Sequence, residues 1–175
     1  MNTVKVRNLE LGNGIPAICI PNVGKTKEDI LSLTRTYLDM HMDLMEWRMD
    51  WYEDVEDIAK VTELVKELRD VMGNTPLLCT FRTDKEGGVH PMPTEKYAEL
   101  NKAVAATGNA DIIDVEIFTG DDMQSTFPAQ RLLLLTMILT KHLPNLISFT
   151  ASAKCRIWEP IFLKWRLCHK PKKMS

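Results

Sequence analysis

Apolar positions alternate between two periods along the first two thirds of the chain. Val4–Val6 and Leu9–Leu11 are short alternating pieces that predict a small hairpin. Ala17–Pro21 is an apolar run and the first candidate strand of a larger sheet. From Lys27 to Met40 the residues Ile30, Leu31, Leu33, Tyr37 and Leu38 fall mostly at helical spacing. Asp43–Arg48 reads as a second strand. Val55, Ile58, Val61, Leu64, Val65, Leu68, Val71 and Met72 then form a clear 3.6-residue stripe. Gly73 stops it, with Pro76 just beyond. Leu77–Arg82 is a third strand, Thr94 caps a helix that runs to about Ala106 and ends at Gly108, and Ile112–Phe118 is a fourth strand.

Strand, helix, strand, helix at this spacing is a βαβ series with a parallel sheet. A doubly wound sheet and a (β/α)8 barrel are its two common closures. Alternation along a strand puts Glu46, Arg48 and Asp50 on one face, Leu78, Thr80 and Arg82 on another, and Asp114 with Glu116 on a third. Each strand therefore carries charge near its C-terminal end. A barrel gathers those ends around one pocket. One such strand reads as an ion pair closing the barrel mouth; three in succession read as a site.

Composition narrows the partners. With 175 residues, 45% hydrophobic and 26% charged, the chain is an ordinary globular one. A net charge of −2 gives no overall basic field for nucleic acid. The N-terminus has no secretory apolar core, and the longest aliphatic stretch, Leu132–Leu139, is far short of a membrane span, so no membrane partner and a cytoplasmic location are expected. Cys19, Cys79, Cys155 and Cys168 are far apart and read as free thiols. No metal or cofactor pattern is present: Gly24-Lys25-Thr26 lacks the glycine a phosphate loop needs at position 19, and Gly12-Asn13-Gly14 is a turn signal. His41, His90, His142 and His169 read as surface or structural, and the ten methionines as filling gaps in the core.

The charge is unevenly distributed. Residues 1–123 carry 13 basic and 23 acidic side chains, whereas residues 124–175 carry nine basic and one acidic, Glu159. Such a switch marks a domain boundary, a basic tail, or a change in the kind of sequence being read.

Three blocks carry a family resemblance. Glu46-Trp47-Arg48-Met49-Asp50, then Thr80-Phe81-Arg82 with Glu86-Gly87-Gly88, then Ile113-Asp114-Val115-Glu116 with Phe118-Thr119-Gly120-Asp121 resemble the type I 3-dehydroquinate dehydratases in order and spacing. The resemblance runs from about Thr3 to Met123. It implies a (β/α)8 TIM barrel that converts 3-dehydroquinate to 3-dehydroshikimate and water in the shikimate pathway. The implied mechanism uses a Schiff-base lysine and a proton-moving histidine, with no cofactor or metal, in a full-length homodimer. It further implies that Glu46, Arg48 and Arg82 bind the substrate's hydroxyls and carboxylate, and that Glu86 supports the catalytic histidine. Pro21 departs from the pattern, since some family members place a substrate-touching serine there.

After Met123 no family motif occurs. The histidine motif Asn-His-Asp-Phe and the lysine that follows an Ile-Pro pair are both absent from the sequence, so no catalytic residue is assigned, and Lys164 and His142 are not taken as substitutes. A shifted frame, taking the third base of each codon with the first two of the next, allows NHDFDKTP from Leu135 to Leu143. The same shift allows KMQNLGADIPKMAVMPQT from Lys154 to Pro171. These are the two missing motifs, in order and in one frame. The expectation is therefore roughly the first half of a barrel over residues 1–123, followed by an out-of-frame, non-native tail over residues 124–175, and a chain without dehydratase activity. The competing expectations are a non-catalytic binding module with a basic tail, and an intact dehydratase whose sequence carries an error.

Overall fold

The structure is a computed structural model that describes residues 4–11 and 16–116. Strands β1 (Val4–Val6) and β2 (Leu9–Leu11) form the expected antiparallel hairpin, turning through Arg7 at φ 54°. The main sheet holds β3 (Cys19–Asn22), β4 (Leu44–Arg48), β5 (Leu77–Thr80) and β6 (Ile112–Asp114), all parallel and in chain order. Helices α1 (Lys27–Asp39), α2 (Ile58–Met72) and α3 (Thr94–Ala106) make the crossovers. This is the α/β order expected from the two apolar periods.

The helix termini show why the segments start where they do. Thr26 caps α1, its hydroxyl accepting the Asp29 amide at 3.2 Å, so Gly24-Lys25-Thr26 is the lead-in to a helix. Gly24 is required there because a Cβ would lie 2.8 Å from Ile30. Asp57 caps α2 by accepting from Ala59 and Lys60. Val55, at the head of the apolar stripe, is buried just before that helix. The expectation for α3 needs correction. Thr94 is its first helical residue, and Pro93, which has no side-chain hydrogen-bonding group, occupies the cap position at φ −59° and ψ 145°. Gly108 ends the helix region at φ 67°, as expected.

The sheet has two faces of different composition. Met45, Trp47, Leu77, Cys79 and Ile113 face the helices and pack with Val61, Leu64, Val65, Leu68, Leu100 and Val104 in the main core. Burial of such side chains contributes roughly 1.5–3 kcal/mol each. Met42, Met45, Met49 and Met72 lie in this core, whereas Met40 is exposed. On the opposite face Leu44, Leu78 and Ile112 form a second, smaller cluster with Cys19, Val6 and Leu9, so the hairpin covers the N-terminal end of that face. Farther along the same face the apolar residues give way to Glu46, Arg48, Thr80 and Asp114. Arg48 is in register with Thr80, and Thr80 with Asp114.

Two strands are shorter than the alternation predicts. β5 ends at Thr80 and not at Arg82, because the Arg82 amide leaves the ladder to donate to Asp50. β6 ends at Asp114, because the Glu116 amide donates to the Tyr97 hydroxyl at 3.0 Å. The turn at Gly12–Gly14, the end of the predicted fourth strand at Phe118, and the segment 124–175 lie outside the described residues.

Candidate substrate-binding site

The charged side chains gather where the parallel strands end. Arg48, the last residue of β4, is held by Asp50 through two parallel bonds, Nε to Oδ1 and Nη2 to Oδ2, both 2.8 Å. Asp50 has no exposed side-chain surface. Its hydrogen bond is the main reason the Arg48 guanidinium sits above its ordinary pKa. Such a fork-on-carboxylate pair fixes orientation as well as charge.

Arg82, two residues past β5, is the centre of an acidic ring. It pairs with Asp114, with Glu116 at 3.2 Å and with Glu86 at 3.7 Å. Burial opposes its charge, but Asp114, Glu116, Glu86 and Glu46 outweigh that and hold its pKa above the ordinary value. Glu116 is anchored in turn by the Thr83 amide at 2.9 Å and the Thr83 hydroxyl at 2.6 Å. Glu86 stands in the short turn Asp84–Glu86, where burial and then Glu116 push its carboxyl upward. That turn closes through two glycines. Gly87 adopts φ 85°, and a Cβ on Gly88 would meet the Arg82 carbonyl oxygen at 1.8 Å, so only glycine fits.

Two buried oxygens on this face have no partner among the described residues: Oδ1 of Asp114 and Oγ1 of Thr80. Asp114 is 3% exposed, and its carboxyl is pushed up to about 7 by burial, with Glu46 and Glu116 adding to the effect and Arg82 opposing it. Trp47 Nε1, Trp51 Nε1 and both amide atoms of Asn101 share this lack of a partner among the described residues. Glu46 lies on the same sheet face as Asp114, with Pro21 in register beside it, and its carboxylate accepts no hydrogen bond among the described residues. Five carboxylates therefore surround two guanidiniums. Nη1 of Arg48 and Nε of Arg82 are left without a partner among the described residues.

All four residues singled out from the sequence, Glu46, Arg48, Arg82 and Glu86, are thus brought to one end of the sheet. The sequence reading put Asp114 on the right face of its strand and grouped Asp50 and Glu116 with the charged strand ends, but gave none of them an individual role. It missed Thr83 and Tyr97, which hold Glu116 and carry no motif signal. His90 lies elsewhere, 3.1 Å from Glu56, with its ring edge-on to Phe81. Among the described residues no cluster of three or more metal-type ligands occurs, and no helix is long and apolar enough to cross a membrane. Burial pushes the Cys19 thiol up to about 12 and raises that of Cys79 as well, so neither is a reactive nucleophile.

A parallel strand–helix sheet with its charged groups at the C-terminal strand ends is the pocket architecture of the (β/α)8-barrel enzymes. Comparison with known proteins gives the family. The type I 3-dehydroquinase model matches residues 18–145, and the chain belongs to that family. The match extends beyond Met123, where the recognisable motifs end. The 3-dehydroquinate dehydratase of Clostridium kluyveri is 46% identical over 119 residues, which cover 68% of this chain and 47% of that protein. The Clostridioides difficile enzyme is 43% identical over 120 residues, covering 69% and 47%. Among solved structures, the type I enzyme of Clostridium difficile, carrying covalently modified comenic acid, superposes with a TM-score of 0.68 at 43% identity, covering 70% of this chain and 48% of that one. The Enterococcus faecalis enzyme superposes with a TM-score of 0.68 at 38% identity, covering 70% and 51%. The chain spans about half the length of the curated relatives it matches.

Proposed function

We propose that this chain carries part of a 3-dehydroquinate dehydratase pocket, binds 3-dehydroquinate there, and does not dehydrate it. The observation that carries the reading is the convergence of Glu46, Arg48 and Arg82 at the strand ends, with one guanidinium nitrogen on each arginine unpartnered among the described residues. A planar guanidinium matches a carboxylate, and Glu46 can accept from a hydroxyl. Glu86, held near Arg82, takes the place of the group that supports the proton-moving histidine in the family.

Dehydration in this family needs more than binding. An imine between a lysine and the substrate ketone acidifies the neighbouring C–H, and a histidine removes that proton and assists loss of water. The sequence contains neither the histidine motif nor the lysine motif. We assign residues 124–175 to out-of-frame translation and residues 1–123 to the barrel portion. The corrected gene would encode a cytoplasmic, homodimeric dehydratase.

Calorimetric titration of the whole chain with 3-dehydroquinate, with enone absorbance followed in parallel, tests the binding and the inactivity separately. Saturable binding without product is expected. Absence of binding sinks the pocket reading, and product formation, or a borohydride-trapped substrate mass on Lys164, sinks the inactivity. Sequencing the gene from upstream of Gly120 to well past Ser175 tests the frame: both motifs should reappear after a one-base correction, and shifted codons incompatible with them would refute it.

A further inference from the structure

Among the described residues, three separate sequence blocks converge on the Asp50 carboxylate. Asp50 lies in the short turn Met49–Trp51 after β4 and has no exposed side-chain surface. Besides the Arg48 fork, it accepts from the Arg82 amide at 3.4 Å and from the Val89 amide at 3.3 Å. Those donors belong to the ends of β4 and β5 and to the residue directly after Gly87-Gly88. Both oxygens are used, each by one guanidinium nitrogen and one amide. An asparagine would keep the shape but not the chemistry, because its NH2 group would face N–H donors where an acceptor is needed.

We propose that Asp50 is a positioning residue for ligand binding: it fixes the Arg48 fork and ties it to the loop that carries Glu86, so that Nη1 of Arg48 is presented to the ligand's carboxylate. The inference rests on the reading of Arg48 as a ligand-holding group. Two alternatives to a fixed fork are close at hand. Glu46 and Asp114 also raise the Arg48 pKa, so a released guanidinium would turn toward them and away from the ligand.

The test is a double-mutant cycle in the full chain, titrated with 3-dehydroquinate. Asp50→Asn is expected to weaken binding about tenfold or more, as loss of a charged, two-bond partner does. In an Arg48→Ala background the same change is expected to cost less than about twofold further, because the fork it holds is gone. Additive losses would reduce Asp50 to a structural residue and overturn the proposal. Arg48→Lys, which retains the charge but not the fork, gives a second variant should Asp50→Asn not fold; it should bind as weakly as Arg48→Ala, and wild-type affinity would overturn the proposal. An NMR readout separates this inference from the pocket reading. Even if the wild type binds no 3-dehydroquinate, Asp50→Asn should abolish the protected Arg48 Nε–H signal and speed exchange of the Val89 amide. Persistence of both would contradict the positioning role.

Discussion

Asp111 and Asp114 are three residues apart, both at most 5% exposed, and they sit at opposite ends of β6. At the N-terminal end Asp111 is fully engaged. Its Oδ1 accepts from Arg7, and its Oδ2 from Arg69 and from the Leu77 amide. Arg69 also donates to the carbonyls of Gly73, Thr75 and Asn109, so a single side chain ties the end of α2 to the loops before β5 and β6. At the C-terminal end Asp114 shares one guanidinium with Glu116 and Glu86, and one of its oxygens has no partner among the described residues. The first end is a closed hydrogen-bond network beside an apolar plug. The second is crowded with like charge, and one oxygen each of Asp114 and Thr80 there is unpartnered among the described residues. A completed network serves stability, while a charged, under-satisfied one suits the proposed binding. Barrel folds divide their two ends in this way.

Substitutions should separate the ends, and the largest effect belongs to the closed one. Asp111→Ala leaves the buried Arg69 without its carboxylate and should cost about 3–5 kcal/mol in denaturant unfolding. It should leave 3-dehydroquinate affinity per folded molecule unchanged. A loss below about 1 kcal/mol would mean the clasp is not what holds that end. Next, Gly88→Ala should cost about 1–3 kcal/mol through overpacking against the Arg82 carbonyl, and should weaken ligand binding because the turn bearing Glu86 cannot close. Wild-type behaviour would mean that the turn can open without consequence.

The pH response should distinguish the two ends more finely. With Asp114 raised from 3.8 to about 7, the folded chain holds its proton where the unfolded chain has lost it. This contribution to stability is fully present below about 4 and is lost as pH rises toward 7. Unfolding measured across that range should show the decline, and Asp114→Asn should flatten it. An unchanged slope in that variant would place the effect on another group. The smallest effect is expected far from both ends. Glu56, Lys96 and His90 form an exposed cluster, and Glu56→Gln should leave the melting temperature and ligand affinity unmoved.

Much of this arrangement was legible in the sequence. The 3.6-residue stripe gives α2 because Val61, Leu64, Val65, Leu68 and Met72 all face the core. Period-two alternation gives the pocket face because Glu46, Arg48, Thr80 and Asp114 stay within regular strands. The strand ends were not legible, because the Arg82 and Glu116 amides bond to Asp50 and Tyr97, partners distant in sequence. Asp50 lies in a turn, where alternation no longer decides direction, so its grip on Arg48 needed geometry. The Arg69–Asp111 clasp was hidden for a similar reason. Arg69 is a charged residue in the last turn of a helix, ordinarily a solvated position, and only the fold brings 42 residues of separation down to 2.5 Å.

The most direct test of the contrast between the two ends uses the arginines themselves. The whole chain, with 15N-labelled arginine, is titrated with 3-dehydroquinate while the Nε–H signals are followed by NMR. Arg48 and Arg82 should shift with one saturation curve while Arg69 stays fixed. If Arg69 shifts alongside them, or if neither Arg48 nor Arg82 responds, the C-terminal strand ends are not the binding end of this molecule.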